Sequence, residues 1–242
     1  METINLLCFP FAGGQSYSYR GLGDSFDFVT VSTFDLPGHG KRLSEPLLDD
    51  INYIIDDMFN QIQNRLRQPY AFFGHSMGGC LAYLMARRVI REGSAPPVFL
   101  FISGRKGPAV VEEGRRHLLP KPQFFKMLED LGGCPPMILA DPELMDLYEP
   151  ILRADFAALA SYRHQEAAPL DIPFLVMIGT DDEIAEDEVM QWQRETTRPL
   201  RIVRFPGDHF FIFQHWREIR RLFVDCLKPI HESNGAGKWT MI

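Results

Sequence analysis

The pentapeptide Gly74-His75-Ser76-Met77-Gly78 constrains the fold of this 242-residue chain more than any other segment. It lies between an apolar run, Tyr70–Phe73, and a longer amphipathic stretch, Gly79–Arg91, which predict a strand and a helix. A serine at so sharp a turn needs glycine on both sides, because a Cβ there would hold the strand and helix backbones apart. The pattern therefore predicts a buried strand that leads directly into a helix, with the Ser76 hydroxyl exposed at the helix N-terminus.

Six strand-like runs alternate with helical patterns along the chain. The runs are Ile4–Phe9, Val29–Phe34, Tyr70–Gly74, Val98–Ser103, Phe174–Ile178 and Leu200–Phe205. Most of them are continuously apolar, which is typical of parallel strands covered on both faces. The clearest helical stripe runs from Ile51 to Leu66 and would place one apolar face against a sheet. The alternation predicts an α/β fold with a mostly parallel central sheet flanked by helices, in one domain over residues 1–230.

The alternation stops between the fourth and fifth runs, where about residues 112–165 carry helical patterns without a strand. Apolar residues favour one helix at Phe124–Leu131 and another at Leu144–Phe156, separated by a flexible turn at Gly132–Pro136. We interpret this stretch as a helical lid inserted into the domain. Residues 231–242 have no usable period and are predicted to form a mobile tail.

The serine turn in this context matches the nucleophile elbow of α/β-hydrolases, in which the acid and then the histidine follow the serine along the chain. A serine hydroxyl is a weak nucleophile until a base removes its proton. His209 lies in the loop after the last predicted strand, where loops at the carboxyl ends of strands build a site. We therefore predict Ser76 as the nucleophile and His209 as its general base, and treat the other six histidines as structural or surface residues.

The acid of such a triad should follow the penultimate strand, where Gly179-Thr180-Asp181-Asp182 stands. We predict Asp182, three residues after the glycine, to orient the histidine. Asp181 remains the alternative, because a shift of one residue decides which carboxylate points at the imidazole.

Backbone N–H groups must stabilise the oxyanion that forms during attack on a carbonyl. Met77, directly after the nucleophile, is one predicted donor. The other should come from the glycine-containing turn after the first strand, and we predict Phe11, with Ala12 as the alternative. A dinucleotide site at this turn is excluded because the G-x-G-x-x-G spacing is absent.

Composition removes several other classes of function. A formal charge of -7 and a pI near 5.5 argue against nucleic-acid binding, which needs clustered Lys and Arg. The apolar runs are shorter than the ~20 residues that cross a bilayer, and the N-terminus resembles no leader, so we expect a cytoplasmic protein without a membrane partner. The four cysteines are widely spaced and are predicted to be reduced thiols, with no metal site.

Several motifs together resemble the type II thioesterases that accompany nonribosomal peptide and polyketide synthases. The segments that carry the resemblance are Phe9–Gly14, Asp35–Arg42, Phe73–Gly79, Ile102–Arg105, Leu131–Gly133, Leu152–Phe156 and Gly207–Phe211. They run nearly from end to end, and those of the lid are more restricted than the serine motif. Lys106-Gly107 and Glu183-Ile184-Ala185 depart from the pattern of the family, which leaves the local loop shapes open.

The resemblance implies hydrolysis of acyl groups from the phosphopantetheine arm of acyl or peptidyl carrier proteins, without a cofactor of the enzyme's own. A free-standing carboxylesterase or lipase acting on small esters is the alternative, since it would share the triad. A non-catalytic binding protein of the same fold is disfavoured because the triad is intact. Basic residues where the chain enters the lid suggest a docking surface for an acidic carrier: Arg105, Lys106, Arg115, Arg116 and Lys121.

Overall fold

A seven-stranded sheet lies at the centre of the protein, whose computed structural model describes residues 3–110, 115–133 and 141–234. The strands are β1 (Ile4–Phe9), β2 (Ser25–Phe26), β3 (Val29–Thr33), β4 (Tyr70–His75), β5 (Phe99–Ser103), β6 (Phe174–Gly179) and β7 (Arg201–Phe205). Their order across the sheet is β2-β3-β1-β4-β5-β6-β7, and every neighbouring pair is parallel except β2 with β3. The predicted mostly parallel sheet is confirmed.

All six predicted strands are present, and their ends differ from the prediction by at most one residue. The additional strand, β2, is a two-residue antiparallel edge strand. Two residues are too few to produce a period in the sequence, so β2 is set by its pairing with β3. The parallel arrangement brings the carboxyl ends of β1, β4, β5, β6 and β7 to one edge of the sheet, which we call the carboxyl edge.

The helices are α1 (Ile51–Ile62), α2 (Met77–Arg91), α3 (Lys121–Leu131), α4 (Pro142–Ser161), α5 (Glu186–Met190) and α6 (Trp216–Asn234). α1 shows why the sequence folds as it does. Asp50 caps its first turn by accepting a hydrogen bond from the Asn52 amide at 2.8 Å, and the predicted apolar stripe is buried. The helix ends at Ile62, and a 3₁₀ turn carries the chain on to the buried Leu66.

Two hydrophobic clusters cover the two faces of the sheet. One contains α1, α2 and the inner sides of α3 and α4. The other contains α6 together with a 3₁₀ segment, Ser16–Leu22, that follows β1. The sheet is thus buried on both faces, which explains why most of its strands are apolar without alternation.

The inserted region carries the two helices that the sequence predicts, α3 and α4. Of the predicted turn between them, Gly132 and Gly133 are described, and residues 134–136 lie outside the described ranges. The predicted start of the tail at residue 231 is wrong, because α6 continues to Asn234 and His231 stacks on Phe28 with ring centroids 4.2 Å apart. Residues 235–242 lie outside the described ranges. Among the helices that are described, none has the length and apolarity to cross a membrane.

Candidate active site

Ser76 occupies the tight turn between β4 and α2 with φ 54° and ψ -116°, an unfavourable conformation for a residue with a side chain. The flanking glycines make the turn possible because they let the backbones of neighbouring segments approach closely. A Cβ at Gly74 would lie 1.9 Å from the Gly78 carbonyl oxygen, and one at Gly78 would lie 2.1 Å from that of Phe9. The Ser76 amide donates to the Ser103 carbonyl at 2.7 Å, which fixes the turn to the end of β5.

The predicted catalytic residues share one cavity of about 1310 Å³ at the carboxyl edge. Ser76, Asp182 and His209 all line it, although they come from the ends of three different strands. Phe11, at the end of β1, lines it as well. The structure therefore brings together in space the residues that the sequence separates by up to 198 positions, from Phe11 to His209.

His209 is hydrogen-bonded to Asp182, with 2.9 Å between Nδ1 and Oδ2. Both side chains are largely buried, at 13% and 6% exposure. A carboxylate only accepts hydrogen bonds, so Nδ1 carries a proton and Nε2 is the ring nitrogen available for proton transfer. Asp181 is exposed and its carboxylate accepts from the Thr180 hydroxyl at 3.2 Å. Of the two adjacent aspartates, it is Asp182 that contacts the histidine.

The two predicted oxyanion donors come from the start of α2 and from the turn after β1. Met77 is the first residue of α2, where N–H groups have no partner within the helix. The other predicted donor belongs to residues 11–14, which we call the oxyanion loop. This loop is a tight turn in which the Gly14 amide donates to the Phe11 carbonyl at 2.7 Å. Both Phe11 and Ala12 line the cavity, so the choice between them stays open.

His75, next to the predicted nucleophile Ser76, is not available as a competing base. Its ring is fully buried, with Nδ1 2.9 Å from the Ser103 hydroxyl oxygen, and it packs 4.9 Å from the His209 ring. Burial, together with the neighbouring His209, holds the pKa of His75 well below its usual value. A neutral imidazole thus packs against His209.

Tyr19 is a supporting residue that the sequence analysis misses. Its hydroxyl donates to the Phe9 carbonyl at 2.7 Å and accepts from the His75 amide at 3.2 Å. It therefore ties the end of β1 to the serine turn in the buried interior, where burial raises the pKa of the phenol. A single tyrosine in an irregular segment has no sequence signal for such a bridge.

The lid helices supply the apolar wall of the cavity. The apolar and aromatic lining residues from α3 and α4 are Pro122, Met127, Leu128, Leu131, Tyr148, Leu152, Phe156 and Leu159, and α3 also contributes the polar residues Gln123, Lys126 and Asp130. The cavity can accept an extended apolar group with its reactive end at Ser76.

The structure changes the composition of the predicted basic surface. Arg105 is buried at 9% exposure, Lys106 pairs with Glu188 at 3.4 Å, and Lys121 pairs with Glu149 at 3.2 Å. Arg115 is exposed and Arg116 is half-buried at the cavity. Arg115 and Arg116 are the two of these five residues that are neither buried nor held in an ion pair with another described residue, and we call them the arginine pair.

Of the described cysteines, Cys8 and Cys80 are buried and Cys226 is half-buried. Burial raises the pKa of the Cys8 and Cys226 thiols, which keeps them protonated. No group of three or more His, Cys, Asp or Glu side chains in the described part of the chain is arranged to hold a metal ion.

The parallel sheet, the serine turn after β4 and the bonded aspartate and histidine after β6 and β7 define a protein of the α/β-hydrolase class. Comparison with known proteins narrows this class. The sequence profile of the thioesterase domain family matches residues 4–226, and the chain belongs to that family.

Relatives of this chain include the gramicidin S biosynthesis protein GrsT of Aneurinibacillus migulanus, 33% identical over 94% of this chain and 90% of that protein. The medium-chain S-acyl fatty acid synthase thioesterase of Homo sapiens is 30% identical over 96% of this chain and 90% of its own length. Among solved structures, the type II thioesterase BorB from the borrelidin biosynthetic cluster is 30% identical, with a TM-score of 0.85 over 93% of both chains. The chain is accordingly a thioester-hydrolysing enzyme.

Proposed function

We propose that this protein removes acyl groups from the phosphopantetheine arm of acyl or peptidyl carrier proteins, as an editing or releasing type II thioesterase of nonribosomal peptide or polyketide synthesis. The observation that carries the proposal is the cavity, which joins a reactive serine turn to an apolar wall formed by the lid. The similarity to GrsT and BorB supports the biosynthetic setting. The fatty acid synthase relative favours an acyl chain as the cargo.

In the proposed first half-reaction, Ser76 Oγ attacks the thioester carbonyl while His209 Nε2 takes the hydroxyl proton. The amides of Met77 and of Phe11 or Ala12 stabilise the oxyanion. The C–S bond then breaks, and the pantetheine thiol leaves with the proton from His209. Asp182 holds the imidazole in the required tautomer and stabilises its charged form.

In the second half-reaction, His209 takes a proton from a water molecule, and the resulting hydroxide attacks the acyl-serine ester. The C–O bond to Ser76 breaks and the serine oxygen recovers its proton from His209. A free carboxylic acid leaves the cavity. The lid limits the access of water, so that hydrolysis proceeds on an enclosed acyl group.

The proposed reaction needs only water as co-reactant, so the enzyme requires no cofactor of its own and phosphopantetheine enters as part of the substrate. We also propose that the protein works in the cytoplasm. The reduced thiols of Cys8 and Cys226 support a reducing compartment.

The test compares the hydrolysis of one acyl group in three substrates: its thioester with a carrier protein, its thioester with coenzyme A, and a simple oxygen ester. We expect kcat/KM to be highest for the carrier protein and lowest for the oxygen ester. A higher value for oxygen esters than for thioesters would overturn the proposal in favour of a carboxylesterase.

The Ser76→Ala variant should lose both turnover, by roughly 10⁶-fold, and covalent labelling by a fluorophosphonate. Labelling of a different serine would refute the assigned nucleophile.

The arginine pair allows a separate test of docking. Carrier proteins are expected to be acidic, and an enzyme with a charge of -7 needs local basic residues to attract them. Reversal of Arg115 and Arg116 to Glu should slow carrier substrates while leaving small thioesters nearly untouched, and the difference should shrink as salt rises. A matched control reverses Arg65 and Arg67, which are exposed just before β4, at the opposite edge of the sheet. Equal effects of both double variants would contradict docking at the arginine pair.

A further inference from the structure

Asp155 on α4 is a carboxylate with only 1% exposure, and it lies far from the predicted triad in sequence. Its Oδ2 accepts a hydrogen bond from the Gly13 amide at 2.7 Å and lies 3.0 Å from His39 Nε2. A buried carboxylate is costly unless such partners satisfy it. The side chain thus connects a lid helix to the oxyanion loop.

The bond to Gly13 fixes the conformation of that loop. Phe11–Gly14 form a turn closed by the Gly14 amide and the Phe11 carbonyl, with Gly13 at φ +72° in its third position. A positive φ at this position, with a negative φ at Ala12, defines a type II turn. The alternative type I turn would rotate the Ala12–Gly13 peptide and withdraw the Gly13 amide from Asp155. Asp155 therefore selects one of two conformations available to the loop that carries the predicted oxyanion donor.

His39 holds Asp155 in place from the other side. Its Nδ1 lies 3.0 Å from the Pro37 carbonyl oxygen, which only accepts, so both ring nitrogens face acceptors. Burial opposes a charge on this ring, but the hydrogen bond and charge of Asp155 outweigh it and raise the pKa of His39. An imidazolium with two donors suits this position.

Other contacts on the same face of α4 reinforce the connection. Tyr148, Leu152 and Asp155 follow the i, i+4, i+7 spacing of one helix face. The Tyr148 hydroxyl oxygen accepts from Gln15 Nε2 at 3.4 Å, and a Cβ at Gly13 would lie only 2.7 Å from Leu152 Cδ2. Leu152 also lines the cavity. One helix face therefore both contacts the site of the acyl group and holds the oxyanion loop.

We propose that Asp155 is a positioning residue, which keeps the oxyanion loop in its catalytic conformation. That conformation then depends on how α4 packs against the loop. The inference rests on the proposed serine mechanism. It predicts that the loss of the Asp155 carboxylate weakens stabilisation of the oxyanion for every substrate, whatever the length of its acyl chain.

The test compares Asp155→Asn and Asp155→Ala with two matched controls in the full-length enzyme. Asp146→Asn makes the same change on the same helix at a site with 65% exposure, and Glu195→Gln removes a different buried carboxylate with 5% exposure. The readouts are kcat and KM for acetyl and decanoyl coenzyme A, and the inhibition constant of an alkyl boronic acid, whose tetrahedral adduct places an oxygen at the oxyanion position.

Outright loss of one oxyanion donor lowers kcat by about 10²–10³-fold, so loosening the loop should lower it by about 10- to 100-fold. We expect this loss in Asp155→Ala for both acyl lengths, with KM nearly unchanged and weaker boronic acid binding. Asp155→Asn, which retains an acceptor for Gly13, should lose less, and the two controls should keep the kcat of the wild type. A normal kcat with a raised KM for decanoyl coenzyme A alone would overturn the proposal. Asp155 would then affect only the binding of the acyl chain.

A measurement on the wild-type protein tests the proposal even if the variants do not fold. The Gly13 amide should resist hydrogen exchange and show a strongly downfield proton resonance, because it donates to a buried carboxylate. Rapid exchange of this amide would overturn the proposal. Failure of the serine mechanism on which the inference rests would look different, since Ser76 of the wild type would then resist labelling by a fluorophosphonate.

Discussion

The carboxyl edge of the sheet and the lid are held in place by different kinds of bonds. At the carboxyl edge, backbone groups of neighbouring loops bond each other, as the Thr180 amide does with the Phe205 carbonyl at 2.8 Å and the Asp181 amide with the Gly207 carbonyl at 2.9 Å. α4 is fixed chiefly through side chains, including Asp155 and the Ser161 hydroxyl, which accepts from the Ile51 amide at 2.9 Å. Hydrogen bonds between backbone groups survive most substitutions, whereas a hydrogen bond to a side chain is lost when that side chain is replaced. The predicted triad thus lies on the region that sequence change disturbs least, and the lid lining of the cavity on the region that it disturbs most.

The largest expected effect lies at the carboxyl edge. Asp182→Asn should lower turnover by about 10⁴-fold, by analogy with the same change in a protease triad, because it removes the carboxylate that orients His209. Asp181→Asn is the matched control, since its side chain is exposed and contacts Thr180 instead. Steady-state kinetics on one thioester measure the turnover of both variants. A greater loss in the Asp181 variant would transfer the role of the acid to that residue.

The second prediction tests how rigid the carboxyl edge is. Gly74→Ala should lower the free energy of unfolding by about 3 kcal/mol or more, because the new Cβ would collide with the backbone of α2. Gly93→Ala makes the same change at φ +75° with no atom within 4 Å of the new Cβ, and should cost about 1 kcal/mol. Urea unfolding monitored by circular dichroism measures both. Equal losses would show that the serine turn adapts more readily than its geometry indicates.

The third prediction concerns the lid. Met127→Ala removes a half-buried side chain from the cavity wall and should lower kcat/KM for a decanoyl thioester by about tenfold, from roughly 1.4 kcal/mol of lost apolar contact. Acetyl thioesters should be hydrolysed at the rate of the wild type. Leu147→Ala, at 53% exposure on the outside of α4, serves as the control. A loss that is the same for both acyl lengths would mean that Met127 acts on the chemistry and not on the acyl chain.

The smallest expected effect is a pH dependence at the junction between the two regions. Burial opposes a charge on His39, but the hydrogen bond and charge of Asp155 outweigh it and raise the pKa. The Pro37 carbonyl and then the charge of Asp35 add to this effect. The stabilising contribution of His39 is therefore complete below the pKa of the unfolded state, near 6.5, and is lost as pH rises through the higher pKa of the folded state. The melting temperature should fall over this window, and His39→Gln should remove that part of the decline. A decline of equal size in the variant would assign the effect to other groups.

The sequence predicts the sheet and its helices well because their signals are local. Apolar runs and the stripe of α1 place six of the seven strands and the first helix, with errors of about one residue in the strands. The exceptions are β2, which depends on pairing with β3, and the end of α6, whose last turn is held by a contact between His231 and Phe28. In both cases the deciding partner lies elsewhere in the chain.

The sequence by itself determined the positions of Ser76 and His209 within the fold, because a serine turn and a loop after the last strand are marked by their immediate neighbours. Only the tertiary structure decided which of two adjacent aspartates meets the imidazole. It also joined Asp155 to His39 and Gly13, which lie 116 and 142 residues away along the chain. Periodicity reports which face of an element is buried, but not which side chain of a distant element is packed against it.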